Sequence, residues 1–157
     1  MAKRTSYYWD ASVFIAWIKD EKRDPEEVAG LDAVVGQVDA KRVVLVTSAV
    51  ILCEVLVGDL DEASTERFSR LFDRPTIEMY DVTRQVAKRA GEIRQGCRRS
   101  GIKCPRTPDA IHIATASILG ATEIHSFDAL FLDLNGKLPQ CPIPVCKPHS
   151  AQGILRL

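Results

Sequence analysis

Apolar residues along this chain fall into short blocks separated by polar, acidic or glycine-containing segments, and the period of each block predicts its element. Ser6–Trp9 reads as a short buried strand stopped by the helix-capping acid Asp10, and Val13, Phe14, Ile15 and Trp17 continue as helix. After a polar segment at 20–27, the spacing of Val28, Leu31, Val34, Val35 and Val38 suits an amphipathic helix with an acidic first turn, as the helix dipole favours. Arg42–Thr47 contains the nearly continuous run Val43, Val44, Leu45, Val46, the pattern of a parallel strand covered on both faces. Ser48 is placed to cap the next helix, Ala49–Val57. That segment is apolar almost all the way around and ends at Gly58, which predicts a position in the core.

Asp59–Asp73 predicts an acidic-fronted surface helix, and Thr76–Tyr80 a third strand. A long helix from about Thr83 to Gly101 sets Val86, Ala90 and Ile93 on one side and basic residues elsewhere. Thr107 and Pro108 form the cap and first position of a helix over Asp109–Leu119, closed by Gly120. Thr122–His125 then reads as a fourth strand, Phe127–Leu132 as a helical turn, and Ile143–Cys146 as a short edge strand between prolines. The Pro139–Pro148 stretch reads better as this edge strand and tail than as a polyproline ligand.

Strands alternating with helices imply right-handed crossovers. The expected fold is therefore α/β: a three-layer α/β/α sandwich around a parallel sheet of about five strands in the order 3-2-1-4-5. With 157 residues and no internal repeat, the chain is read as one domain, 1–157, able to bury a core without disulfides. In such sheets ligands gather beyond the carboxyl ends of the strands where strand order reverses, beside strands one and four.

Four acids stand out against this pattern: Asp10, Glu54, Asp109 and Asp128, each at the end of an apolar strand or within an apolar helix. Charges in such places need partners. Taken singly, Asp10 and Asp128 could be helix caps, Asp109 ordinary first-turn stabilisation and Glu54 half of an ion pair. Taken together, four acids converging on one sheet edge read as a hard-oxygen site for Mg2+ or Mn2+, whose charge would relieve their repulsion. Such a metal can activate water against a phosphodiester.

These residues carry a resemblance that spans nearly the whole chain. The opening Tyr8-Trp-Asp10-Ala-Ser12, the helix Ser48-Ala-Val-Ile-Leu-Cys-Glu54-Val-Leu-Val-Gly58, the segment Pro108-Asp109-Ala-Ile-His-Ile-Ala-Thr-Ala116 and Ile124-His-Ser126-Phe-Asp128 resemble PIN-domain proteins, in particular VapC-type toxins of toxin–antitoxin pairs. The resemblance assigns Asp10, Glu54, Asp109 and Asp128 to metal binding and catalysis, with Ser12 and Ser126 as polar neighbours. It implies a Mg2+- or Mn2+-dependent endoribonuclease, an antitoxin partner and a homodimer. One departure is Ala11, where members often carry a hydroxyl, although Ser12 keeps a polar group two places after the acid.

Charge and cysteine content refine this picture. The net charge is zero, yet Arg84–Arg106 is basic, and Arg94, Arg98, Arg99, Lys103 and Arg106 are candidate RNA contacts leading into Asp109. A solvated helix face is the plainer reading of the same run. His112 and His125 read as structural or peripheral. The five cysteines lack zinc-motif spacing, so zinc is not expected; with no hydrophobic signal segment at the start, they indicate a reduced cytoplasmic setting. No apolar run approaches a membrane span. Two other functions compete: a catalytically silent nucleic-acid or partner-binding module of the same fold, against which the retention of every acid argues, and a haloacid-dehalogenase-like phosphatase. The latter needs an acid two places after Asp10, where Ser12 stands.

Overall fold

The computed structural model describes residues 4–57 and 60–150. Five strands, β1 (Ser6–Trp9), β2 (Val44–Ser48), β3 (Ile77–Tyr80), β4 (Glu123–His125) and β5 (Val145–Cys146), pair in parallel in the order β3-β2-β1-β4-β5. This is the expected order. The intervening helices are α1 (Ala11–Lys19), α2 (Pro25–Asp39), α3 (Ile51–Val55), α4 (Glu62–Leu71), α5 (Arg84–Arg99), α6 (Thr107–Leu119) and α7 (Ala129–Leu132).

Alternation along each strand divides the core into two halves. Tyr8, Val44, Val46, Ile124 and Val145 pack with Val86, Ala90 and Ile93 of α5 and Ala110, Ile113 and Ala114 of α6. Tyr7, Trp9, Val43, Leu45 and Ile77 face the other way, toward Val13 and Phe14 of α1, Leu31, Val34 and Val38 of α2, and Phe68 of α4. Burial of both sheet faces is what the continuous apolar run at Val43–Val46 requires. Gly120, at φ 63°, ends α6 in the left-handed conformation that glycine adopts without a Cβ penalty.

The segment read as a core helix over Ala49–Val57 departs from expectation. Only Ile51–Val55 is helical, and Ile51 and Val55 alone point inward from it, while Leu52, Leu56 and Val57 are 38%, 61% and 85% exposed. An apolar sequence on every helical face had signalled burial on every face; here one face is core and the other is surface. Gly58 and Asp59 lie outside the described residues, and the following helix begins at Glu62 with Asp61 as its cap, the side chain accepting from the Ser64 N–H at 2.7 Å. Helix α6 begins at Thr107 itself, with Arg106 in the cap position. No helix among the described residues is long and apolar enough to cross a membrane.

Candidate active site

Asp10 follows β1 and caps α1, its Oδ1 accepting from the Val13 N–H at 3.3 Å and the Ser12 hydroxyl at 2.6 Å. Its Oδ2 accepts from the Ser126 hydroxyl at 2.5 Å. Ser126 comes directly after β4, so this bond joins the ends of the two strands flanking the switch point. Ser12 Oγ in turn accepts the Phe127 N–H at 2.9 Å and Ser126 Oγ the Asp128 N–H at 3.0 Å. The two serines thus fix the Asp10 carboxylate and both turns that meet there. Burial raises the Asp10 pKa, even though the Ser12 and Ser126 hydroxyls favour the ionised form.

Glu54 lies on α3 with its side chain 25% exposed, and its Oε2 accepts a hydrogen bond of 2.6 Å from His112 Nε2. On the other side of the ring, the Tyr8 hydroxyl lies 2.6 Å from Nδ1. A carboxylate only accepts, so Nε2 carries a hydrogen toward Glu54, and in the neutral ring Nδ1 accepts from Tyr8. His112 is fully buried, one turn after Asp109 on α6. Of the two alternatives for His112, structural or peripheral, burial and two hydrogen-bond partners agree with the structural one. His112 stands between the β1 core residue Tyr8 and the acid of α3, and the signal for it lay in its helical spacing from Asp109.

Asp109 accepts from Arg106 Nε at 3.2 Å, and Arg106 Nη2 lies 3.8 Å from Asp128 Oδ2. Burial raises the Asp109 pKa against the opposing pull of Arg106, with smaller contributions from His112 and Glu54. The hydrogen bond to Asp109 holds Arg106 more firmly protonated, and Asp128 and Glu54 add to this. Asp128 also caps α7, accepting from the Leu130 N–H at 2.8 Å. Asp10 and Asp128 are therefore both caps, and contacts link the acids' surroundings: Ser126 joins Asp10 to the turn of Asp128, Arg106 lies between Asp109 and Asp128, and Glu54 meets His112 one turn from Asp109.

The basic candidates divide by place. Arg94 donates to the Pro105 carbonyl at 3.1 Å and lies 3.3 Å from Thr107 Oγ1, tying α5 to the start of α6. Arg98 and Arg99 are exposed in the last turn of α5, where a cation complements the dipole. Lys103 and Arg106 line a small cleft with Asp109, Leu130 and Phe131.

The donor chemistry fits a hard divalent cation: four carboxylates with hydroxyl neighbours, partly neutralised by a guanidinium that is 70% exposed. Arg106 occupies the electrostatic role a metal would fill. Among the described residues, the groups whose ligand atoms all lie within 4.8 Å of one another are not these acids but Glu123, His125, Cys146 and His149, on the β4–β5 edge.

The PIN domain family matches residues 7–137. No curated protein sequence matches the chain. Among solved structures, VapBC2 of Rickettsia felis, bound to a promoter DNA fragment, is similar with TM-score 0.67 at 14% identity, over 90% of this chain and 97% of that one. VapC20 of Mycobacterium tuberculosis, described as a sarcin–ricin loop cleaving toxin, has TM-score 0.58 at 17% identity, covering 80% and 92%. DNA-bound VapBC of Salmonella typhimurium has TM-score 0.58 at 19% identity, covering 90% and 96%.

Proposed function

Because the chain belongs to the PIN domain family, we propose that it is a Mg2+- or Mn2+-dependent endoribonuclease, the toxin of a toxin–antitoxin pair, with Asp10, Glu54, Asp109 and Asp128 as its metal-binding and catalytic acids. The observation that carries this reading is the set of buried or half-buried carboxylates at the carboxyl ends of β1 and β4 and on the flanking helices, with Asp10 bonded to Ser126, Glu54 to His112, and Arg106 between Asp109 and Asp128.

In this reading Asp10 is the fixed member, its oxygens aimed by Ser12 and Ser126. Glu54 is aimed by His112, whose ring is itself locked by Tyr8. Asp109 and Asp128 would help hold the cation, and Arg106, which lies between them with Lys103 in the same cleft, would be placed to meet substrate phosphate. The bound cation would supply Lewis acidity and a water of lowered pKa. Arg98 and Arg99 extend the phosphate contact along α5. The exposed Leu56 and Val57, close in sequence to Glu54, offer apolar surface to the antitoxin or to a second copy of the chain.

The test is incubation with structured RNAs in Mg2+ or Mn2+, with and without chelator. The wild type cleaves only with metal, and Asp10→Asn lowers the rate by more than about 100-fold, beyond the cost of losing a supporting group. Binding of RNA without cleavage at generous metal would replace this reading with the catalytically silent module.

A further inference from the structure

Glu123, His125, Cys146 and His149 converge at the β4–β5 edge, on the sheet face opposite Ile124 and Val145. Glu123 and His125 are two apart on β4 and share that face, and Cys146 is the register partner of His125 on β5. The chain after β5 is anchored rather than loose. Lys147 pairs with Glu27 of α2 at 2.7 Å, and Gly30 of α2 leaves room for the Pro148 carbonyl, which an added Cβ would meet at 2.1 Å. This docking brings His149 over the cluster.

The hydrogen bonds assign each ring nitrogen. The Trp9 indole, which only donates, bonds His125 Nδ1 at 3.0 Å, so His125 Nε2 carries the hydrogen and gives it to Glu123 Oε2 at 2.9 Å. His125 therefore holds the carboxylate in place. In a neutral His149 ring, Nδ1–H faces the Ser150 carbonyl at 3.2 Å, which only accepts, and the Nε2 lone pair is directed at the same Glu123 oxygen 3.0 Å away. A proton on Nε2 or a metal ion between the two atoms satisfies that contact. The Cys146 sulfur lies 3.7 Å from that oxygen too.

We propose that this edge binds a zinc-like divalent ion through Glu123, Cys146 and His149, with His125 positioning the carboxylate and the fourth coordination place open to water. Without an ion, Glu123 Oε2 gathers His125, His149 and the Cys146 thiol; an ion would take the place of the His149 and Cys146 protons. A zinc ion with bonds of about 2.0–2.3 Å to one sulfur and two N or O atoms sets them roughly 3.3–3.6 Å apart at tetrahedral angles, so the His149–Glu123 pair at 3.0 Å would open slightly and the Cys146–Glu123 pair at 3.7 Å would close slightly. One thiolate, one imidazole and one carboxylate are its ordinary donors, and a His whose Nδ1–H meets a backbone carbonyl is the usual outer support. Binding releases the thiol proton to solvent as the sulfur–metal bond forms. Access is by the open groove lined by Asp24, Glu27, Gly30, Lys147 and His149. The ion would staple the edge strand and the following segment to β4, and the inference is independent of the nuclease reading.

Chelator-treated protein titrated with Co2+ tests this directly. Wild type and Asp10→Asn both develop a thiolate-to-cobalt charge-transfer band saturating near about one equivalent, as a single sulfur-containing site requires. Cys146→Ser loses the band. Because Cys146 sits in a strand, His149→Ala serves as the second variant: it keeps the circular dichroism of the wild type but loses the rise in Tm that Zn2+ gives the parent. No band in the wild type, a band persisting in Cys146→Ser, or an undiminished zinc-induced rise in His149→Ala overturns the proposal. Loss of RNA cleavage in Asp10→Asn with the band intact separates this site from the acidic one.

Discussion

Asp10 carries its charge at 5% exposure, held by two hydroxyls and a backbone N–H, and burial still lifts its pKa above the ordinary 3.8. A carboxyl raised in the folded state favours the protonated form there, so its contribution to stability is full below the ordinary value and is lost as pH rises through the raised one. In metal-free protein, Asp10→Asn is therefore expected to have a higher Tm than the wild type at neutral pH, the difference shrinking as pH falls through the carboxylate range. Thermal melts across pH with chelator check this; an Asn variant less stable at every pH would show that the capping bonds outweigh the desolvation. His112 is the contrasting residue. His112→Ala leaves Glu54 and the Tyr8 hydroxyl without their partner and opens a cavity, at a cost of about 2–4 kcal/mol in denaturant unfolding. The acids were legible in the sequence because a charge in an apolar run is conspicuous. The partners of His112 were not, because Tyr8 and Glu54 lie 104 and 58 positions away.

Periodicity placed all five strands and the long helices, since each buries one sheet face or one helical stripe. It misplaced α3, whose exposed apolar residues obey a surface requirement that no period encodes. Packing between elements was equally hidden, as the paired glycines of α2 show. Gly36 has nothing within 4 Å of an added Cβ, whereas one on Gly30 would strike the Pro148 carbonyl. Gly36→Ala is expected to stabilise by about 0.5–1 kcal/mol through helix propensity alone. Gly30→Ala gains the same propensity yet lowers stability by about 1–3 kcal/mol through overpacking. Equal effects from the two substitutions in denaturant melts would show that the segment after β5 is not seated on α2.

At the scale of the molecule, the parallel order β3-β2-β1-β4-β5 explains why acids far apart in the chain lie at one sheet edge: β1 and β4 are neighbours, and α3 and the first turns of α6 lie over the same edge. A parallel sheet was readable from alternation, and its order came from the resemblance rather than from any residue; the second cluster at the β4–β5 edge was not legible, because Glu123, Cys146 and His149 match no short motif and join only through strand register and the docking of the final segment. The central claim is that Asp10, Glu54 and Asp109 hold one cation together. Mn2+ titration of metal-free protein, followed by the paramagnetic signal of the free ion, measures it most directly. Asp10→Asn, Glu54→Gln and Asp109→Asn are each expected to weaken Mn2+ binding by about 10-fold or more, roughly 1.4 kcal/mol. Three variants that bind Mn2+ as tightly as the wild type would contradict the account.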